Sequence, residues 1–394
     1  MKHIHPFPAR MAPEIVLERI GRLDEGLTVL DPMSGSGMVL GQAARRGLNS
    51  IGYEKDPLAR LVSRVGSTKI NEKHVEESLQ RLLDASVAIH SRHKRINLPW
   101  IDEDEKTSAF VSYWFGKKQE KQLRSLIFYL LEEPISTNQK ILNVLKVALS
   151  RLIITKEPKA SLARDTAHSR PHKVTKVNNF DIFAELPASL NHVLKALDST
   201  TISTNSKTYL GDARRMTRIH DEYIDAIITS PPYLNAIDYM RGHRLSLVWL
   251  GYSIPYLRKI RASLIGAEIP MTSASDKHFY QLAKKLELNE LNPRMFKILE
   301  RYFYDLVIQT REAFRVLKHG ASATYIIGNS TISGCHIKNN ELLKRAARLA
   351  GFSQNGENKR DIPNSRRYLP ILPKSGTSLA SRMRTEHIIE FVKP

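Results

Sequence analysis

The sequence contains one cysteine, Cys335, among 394 residues. A single cysteine cannot form an intrachain disulfide, and this usage is typical of a reducing compartment. No run of about 18 uncharged apolar residues occurs, which argues against a transmembrane helix. The N-terminal segment MKHIHPFPARM lacks the apolar core of a signal peptide. We therefore expect a cytoplasmic protein with no membrane partner.

Metal-ligating side chains are not concentrated anywhere along the chain. His3 and His5 form one histidine pair, and His90 and His93 form another. Neither pair has further cysteine, histidine or aspartate ligands close by in sequence, as a protein metal site requires. We therefore expect these histidines to pack or to face solvent, and we expect no metal site.

Acidic residues are outnumbered by basic ones, with 40 Asp and Glu against 60 Lys and Arg, so the formal net charge is +20. A surface this positive attracts polyanions, because neutralising a phosphate backbone releases its condensed counterions. A generally basic soluble protein would also satisfy the composition, but nucleic acid is the favoured partner.

Residues 28–60 have the pattern of a βαβ unit with a parallel sheet. A β-prone run, Thr28–Leu30, leads into a glycine-containing loop, and a helix is predicted from Val39 to Arg46. A second strand, Ser50–Tyr53, ends at Glu54. Later strands are predicted at Thr208–Leu210, Ile224–Thr229, Ala323–Ile327 and His387–Val392.

The stretches between these strands favour helices. Apolar residues recur at helical spacing in Val75–His90, Lys118–Leu131 and Gln139–Ile153, whereas residues 156–178 have the composition of a loop. We therefore predict a catalytic domain formed by residues 1–73 and 205–394. A mostly helical insertion, 74–204, would interrupt it, and a second helical insertion, 240–318, would lie within it.

The glycine loop spans Asp31 to Gly37 and is followed, about 20 residues further on, by Glu54. Glycines let backbone approach a ligand closely, and an acid at the end of the next strand can accept hydrogen bonds from ribose hydroxyls. The loop has neither the three-glycine dinucleotide pattern nor the lysine of a P-loop. A nucleoside cofactor without a pyrophosphate fits this loop better than a purely structural turn.

Ser230-Pro231-Pro232-Tyr233 directly follows the apolar strand Ile224–Thr229. Two prolines stop the strand and stiffen the loop, and in an open α/β sheet this position faces the ligand crevice. The tyrosine supplies a flat ring on which a nucleobase can stack. A proline-terminated strand with a core tyrosine is the alternative, and the glycine loop with Glu54 argues against it.

Together, the glycine loop and the Ser-Pro-Pro-Tyr tetrapeptide resemble the motifs of the amino-methylating DNA methyltransferases. A leading serine is most typical of the N4-cytosine enzymes, although some N6-adenine enzymes share it. The N-terminal segment 5–10, Tyr209–Asp212 and the segment 382–387 extend the similarity, which covers about half of the chain. Met38 stands where threonine is usual after the glycine loop.

The resemblance implies an α/β, Rossmann-like class I fold with a seven-stranded, mostly parallel sheet and S-adenosylmethionine as cofactor. It implies a catalytic loop made of Ser230, Pro231, Pro232 and Tyr233. The cofactor-binding residues that it implies are His5, Phe7, Pro8, Arg10, Asp31, Pro32, Ser34, Gly35, Ser36, Gly37, Glu54 and Asp212. The partner would be double-stranded DNA with the target base flipped out, and a cognate restriction endonuclease is a further possible partner.

Alternatives remain open at this point. The enzyme could methylate N6 of adenine or a base in RNA, or the chain could be an inert DNA-binding module that keeps the fold. C5-cytosine methylation is disfavoured because it needs a cysteine nucleophile. Cys335 lies about 100 residues after the tetrapeptide and reads as an ordinary small residue.

Overall fold

A computed structural model describes residues 3–7, 11–92, 96–197, 205–234, 238–271, 277–288, 291–332, 335–362 and 385–394. Eleven strands occur in these ranges. They are β1 (Thr28–Asp31), β2 (Asn49–Glu54), β3 (Ala163–Arg164), β4 (His172–Lys173), β5 (Ser206–Leu210), β6 (Ile224–Thr229), β7 (Leu317–Gly328), β8 (Ser330–Ile332), β9 (Cys335–Ile337), β10 (Ser353–Asp361) and β11 (Thr385–Val392).

Seven of these strands form one sheet in the order β10-β11-β7-β6-β1-β2-β5. Neighbours from β7 through β6, β1 and β2 to β5 pair in parallel, whereas β11 is antiparallel to both β7 and β10. This is the class I S-adenosylmethionine-dependent methyltransferase fold that the motifs implied. The strand order reverses between β1 and β6, and a crevice for ligand opens at such a reversal.

The central strands are apolar because helices cover both faces of the sheet. All four residues of β1 are buried, and five of the six residues of β6 are buried. Their register pairs Val29 with Ala226 and Leu30 with Ile227. As a result, the two strands end side by side at the carboxyl edge of the sheet.

Fourteen α-helices occur in the described ranges. They are α1 (Pro13–Ile20), α2 (Met38–Arg45), α3 (Pro57–Gly66), α4 (Glu72–Ser91), α5 (Pro99–Asp102), α6 (Glu105–Trp114), α7 (Lys117–Ile127), α8 (Gln139–Ile153), α9 (Ile182–Leu197), α10 (Tyr239–Leu247), α11 (Ile254–Ala262), α12 (Lys277–Lys285), α13 (Pro293–Val316) and α14 (Asn339–Ala350). None of the helices in these ranges is both long enough and apolar enough to cross a membrane.

The helices of the first insertion share their apolar core with parts of the predicted catalytic domain. Buried residues of α4 to α9 cluster with Leu58 and Leu61 of α3 and with Leu245 and Leu257 of α10 and α11. A second cluster joins β7 and α14 to α13. The division into catalytic domain and insertions remains a prediction. The first insertion packs directly against the helices that follow Ser230–Tyr233.

The described elements differ in places from those predicted from sequence. Strand β7 begins at Leu317, six residues before the predicted start. Strand β10 was not predicted, because all but two of its residues are exposed. The loop 156–178 contains the short ribbon β3–β4. Helix α7 continues as a π-helical turn, Phe128–Glu132, where a regular helix was expected.

Candidate active site

The tips of β1 and β6 are joined by a hydrogen bond. Thr229 Oγ1 donates to Asp31 Oδ1 at 2.8 Å, and both residues are buried. Asp31 leads into the glycine loop and Thr229 leads into Ser230. The bond therefore holds the predicted cofactor loop next to the predicted catalytic loop.

Two glycines make the loop after β1 possible. Gly35 and Gly37 have φ angles of 49° and 83°, in the left-handed region that disfavours side chains. A Cβ on Gly37 would lie 2.5 Å from the Ser63 hydroxyl oxygen and 2.8 Å from its Cα. The Gly37 N–H donates to the Ser34 carbonyl at 2.7 Å, so the loop turns tightly into α2.

Glu54 at the end of β2 closes this loop from the side. Its Oε2 accepts from the Gly35 N–H at 2.8 Å, and its Oε1 accepts from the backbone N–H groups of Lys55 and Asp56 at 2.8 and 2.9 Å. Each carboxylate oxygen has two lone pairs. Oε2 therefore keeps capacity to accept a further hydrogen bond.

Both acids at these strand ends are harder to ionise than ordinary carboxyls. Burial raises the pKa of Asp31 to about 7, against a partial opposing effect of the hydrogen bond from Thr229. Burial also raises the pKa of Glu54 to about 7, and the Asp56 carboxylate adds to the rise. Nearby positive charge would favour their ionised forms.

Phe7 of the N-terminal segment lies over the glycine loop. A Cβ built on Gly35 would be 3.7 Å from its ring. The ring also stacks on Tyr239 at a centroid distance of 5.2 Å and lies 5.4 Å from the His243 ring. His243 is held in turn by a 2.5 Å contact between its Nδ1 and Asp56 Oδ2.

His5, also predicted to bind cofactor, packs against the helical insertion. It is 1% exposed, its Nε2 is 2.9 Å from Ser150 Oγ on α8, and its Nδ1 is 2.8 Å from the Pro6 carbonyl. Pro8 and Arg10, from the same predicted set, lie outside the described residues. Of this N-terminal set, Phe7 is the residue that the structure places against the glycine loop.

Asp212, predicted to contact the cofactor adenine, is held by two cations. Lys55 Nζ and Arg214 Nη2 each lie 2.6 Å from Asp212 Oδ2, and Arg214 Nε donates to Oδ1 at 2.9 Å. Burial alone would raise the pKa of Asp212, but these bonds hold the pKa well below its usual value. Arg214 also pairs with Asp305 on α13. In this arrangement the carboxylate is already hydrogen-bonded.

The Ser-Pro-Pro-Tyr loop is anchored from two sides. The Tyr302 hydroxyl on α13 donates to the Pro232 carbonyl at 2.9 Å, and the Ser330 hydroxyl donates to the Leu234 carbonyl at 2.6 Å. Tyr302 is 1% exposed. The prolines make the loop rigid, and the hydroxyls of Tyr302 and Ser330 hold its carbonyls.

The two side chains at the ends of the tetrapeptide interact with each other. Ser230 Oγ lies 3.3 Å from the Tyr233 hydroxyl, which in turn lies 3.4 Å from Glu386 Oε1 at the start of β11. Burial raises the pKa of Tyr233, and the Glu386 carboxylate raises it further. The three groups form a hydrogen-bonded line from the predicted catalytic loop to the antiparallel edge of the sheet.

Several contributors to the site were not predicted from sequence. Tyr302, Lys55, Arg214 and His243 contact predicted residues but belong to no motif. For Asp56, which holds His243, the sequence contained a partial signal. An acid before a proline at the start of a helix is a common N-cap. Asp56 does cap α3 by accepting from the N–H groups of Leu58 and Ala59. Nothing in the sequence pointed to Tyr302.

Within the described part of the chain, no group of three or more His, Cys, Asp or Glu side chains is arranged to hold a metal ion. No protein-family model matches the chain. The chain is 24% identical to the Type II methyltransferase M.BsoBI of Geobacillus stearothermophilus over 387 residues, covering 86% of this chain and 75% of that protein. It is 23% identical to the Type II methyltransferase M.AvaI of Nostoc sp. (strain PCC 7120) over 365 residues, covering 82% of this chain and 73% of that protein.

Among solved structures, a SAM-dependent methyltransferase from Methanosarcina mazei is similar at 9% identity, covering 98% of this chain and 99% of that one, with a TM-score of 0.34. The strand order and pairing of the seven-stranded sheet define the fold.

Proposed function

We propose that this chain, a member of the amino-methylating DNA methyltransferases, transfers a methyl group from S-adenosylmethionine to the N4 amino group of cytosine in DNA. Its motifs, its fold and its relatives support the general activity of an S-adenosylmethionine-dependent DNA methyltransferase. The choice of cytosine N4 rests on the serine that opens the tetrapeptide, Ser230.

One observation supports the assignment most directly. The hydrogen bond from Thr229 to Asp31 holds the glycine loop and the catalytic loop at adjacent strand ends. A methyl donor in one loop and an acceptor base against the other would then be neighbours. Positioning of two reactants supplies much of the acceleration in such a transfer.

The residues of the glycine loop fit S-adenosylmethionine. Gly35 and Gly37 remove the side chains that would block a close approach of ligand to backbone. Glu54 Oε2 has a lone pair left for a ribose hydroxyl, and Phe7 covers the loop. When bound, the cofactor supplies an electrophilic methyl group on a sulfonium.

The catalytic loop would hold the base. The Tyr233 ring stacks on the extruded cytosine and offsets part of the cost of flipping it out of the duplex. Ser230 Oγ and the Pro231 carbonyl accept hydrogen bonds from the amino group. These bonds shift its lone pair from the ring toward the methyl carbon. Tyr302 keeps the loop in place through the Pro232 carbonyl.

The line of hydroxyls gives the reaction a route for its proton. As the N–C bond forms and the C–S bond breaks, the amino nitrogen gains a positive charge and must lose a proton. Ser230 Oγ accepts that proton while its own passes to the Tyr233 oxygen, and the Tyr233 proton passes to the Glu386 carboxylate. Glu386 thus supplies the negative charge that a leading serine lacks.

Two broader assignments complete the proposal. The helical segments 74–204 and 240–318 would read the target sequence and close over DNA, which fits the shared core of α4 to α9 with α10 and α11. A restriction endonuclease of the same specificity would be the partner, as the resemblance implies. To test this pairing, DNA methylated by the protein is treated with an endonuclease from the same source. Protection of that DNA from cleavage supports the pairing.

The deciding experiment identifies the methylated nucleoside. Unmethylated plasmid is incubated with the protein and S-adenosylmethionine labelled in the methyl group, digested to nucleosides and separated by chromatography with mass detection. We expect labelled N4-methyldeoxycytidine, distinguished by retention time from its C5 isomer. Labelled N6-methyldeoxyadenosine would show that the methyl acceptor is adenine N6 and not cytosine N4. Label found only in an RNA substrate would reject DNA, and binding without any label would indicate an inert module.

A further inference from the structure

Four arginines lie on α10 and α11, the helices that follow the catalytic loop. Arg241 and Arg244 are three residues apart on α10, and Arg258 and Arg261 are three residues apart on α11. Residues at this spacing share one face of a helix, and the two helices contact each other. We refer to these four residues as the arginine cluster.

The cluster has more positive charge than its surroundings neutralise. Asp238 accepts from Arg261 Nε at 2.6 Å and from Arg241 Nε at 3.2 Å. Arg258 has no hydrogen bond or ion pair with the described residues. Burial lowers the pKa of Arg244, and the charges of Arg261, Arg258 and Arg241 lower it further. Asp238 thus bonds to two of the four guanidinium groups, and a bound anion would reduce the repulsion among the four positive charges.

The cluster is accessible to a large partner. The side chains of Arg241 and Arg261 are 53% and 48% exposed, and Arg258 is exposed as well. Arg244 is the exception, because its guanidinium lies 5.3 Å from the centre of the Phe110 ring. Three arginines of the cluster are therefore exposed, and the fourth lies on an aromatic ring.

We propose that the arginine cluster binds the phosphate backbone of duplex DNA beside the flipped base. Guanidinium forks match phosphate oxygens in geometry and charge. The cluster follows Ser230–Tyr233 in the chain, and Tyr239 at the start of α10 stacks on Phe7 over the glycine loop. A backbone held there would have its bases within reach of the catalytic loop.

This inference rests on the proposed function, since DNA is the anion that the catalytic loop requires. An acidic protein would also be attracted to arginines. The excess of basic over acidic residues along the chain, 60 against 40, and the position of the cluster next to the site for a base favour DNA. Phosphate contacts of this kind position the duplex and carry no sequence information.

The test uses the full chain with Arg258→Gln and Arg261→Gln combined. Binding to a fluorescent duplex is measured by anisotropy at several salt concentrations, for a methylatable sequence and a scrambled one. We expect binding to both to weaken, by about tenfold per arginine. The slope of log K against log salt should fall by about 2. Calorimetry should show unchanged affinity for S-adenosylmethionine, which reports an intact fold.

Two further variants make the result specific. Arg311→Gln with Arg348→Gln removes the same charge from exposed positions on α13 and α14 and should leave the salt slope unchanged. Arg258→Lys with Arg261→Lys should recover most of the affinity, because lysine keeps the charge.

An unchanged duplex affinity and salt slope in the glutamine pair would overturn the inference, as would equal losses in the control pair. Loss for one sequence alone would also contradict it, since that result indicates base reading. Failure of the proposed function looks different. In that case the unmodified protein would bind DNA with the expected salt slope but produce no N4-methyldeoxycytidine.

Discussion

The Thr229 hydroxyl donates a 2.8 Å hydrogen bond to the Asp31 carboxylate, and this bond joins the tip of β6 to the tip of β1. Replacing Thr229 with valine removes the donor and leaves a buried acceptor with one partner fewer. We expect about 1–3 kcal/mol of lost stability and weaker cofactor binding, measured by denaturant unfolding and calorimetry. Thr229→Ser keeps the hydroxyl and should retain most of the stability and most of the cofactor affinity. Equal effects of valine and serine would show that the methyl group, not the bond, matters.

The raised pKa values of Asp31 and Glu54, each about 7, predict how stability depends on pH. The folded protein keeps protons on these carboxyls at pH values where the unfolded chain has released them. Stability without cofactor should therefore fall as pH rises from about 4.5 to about 7 and then level off. Unfolding midpoints measured across this range check the sign. Glu54→Gln should remove the part of this dependence that Glu54 contributes and leave the part from Asp31. A rise in stability over the same pH range would contradict the prediction.

Cofactor binding should respond to pH in the opposite sense. An ionised Glu54 accepts hydrogen bonds from a ribose better than a protonated one, and a sulfonium favours ionised acids nearby. Affinity for S-adenosylmethionine should increase by up to about fivefold for each carboxyl from pH 6 to pH 7. Calorimetry in buffers of different ionisation enthalpy would detect the released protons. A pH-independent affinity in this range would count against both acids as cofactor contacts.

Gly37→Ala should abolish cofactor binding. The new Cβ would lie 2.5 Å from the Ser63 hydroxyl oxygen, in addition to the strain of a side chain at a φ of 83°. Gly26→Ala is the matched control, because Gly26 has a φ of 86° but nothing within 4 Å of its Cβ position. Both changes cost about 1–2 kcal/mol of backbone strain, so only Gly37→Ala should lose cofactor. Loss of binding in both variants would point to a general folding defect.

Tyr233→Ala should slow methyl transfer roughly 10- to 100-fold, from loss of base stacking, while affinity for S-adenosylmethionine changes little. Tyr233→Phe keeps the ring but removes the hydroxyl between Ser230 and Glu386. Compared with the alanine variant, the phenylalanine variant should therefore recover more of the DNA affinity than of the methyl-transfer rate. Single-turnover kinetics and calorimetry separate the two quantities. Equal loss of methyl transfer and cofactor binding in the alanine variant would argue against the stacking role.

Glu386→Gln should lower the single-turnover rate about tenfold if the carboxylate receives the proton, a moderate share of the contribution typical of general bases. Glu386→Asp, which keeps a carboxylate, should retain more of the rate than the glutamine variant. A glutamine variant with the original rate would exclude Glu386 from the proton route.

Much of this protein was predictable from its sequence because the signals are local. The apolar run Ile224–Thr229 followed by two prolines determined both β6 and the rigid loop after it. The spacing of the glycine loop and Glu54 predicted that they meet at one edge of the sheet, and Glu54 does accept a hydrogen bond from the Gly35 N–H. Helix α8 has the predicted bounds because its apolar residues recur with helical period.

Other features depend on residues that are distant in sequence and were decided only by the tertiary structure. Strand β10 is mostly exposed, so its sequence has no apolar pattern that predicts a strand. Its place at the sheet edge comes from pairing with β11. Tyr302 reaches the Pro232 carbonyl across 70 residues, and Glu386 reaches Tyr233 across 153. Sequence motifs identify groups that act through their own loop. Groups that support a loop from another element are identified only once packing has brought them together.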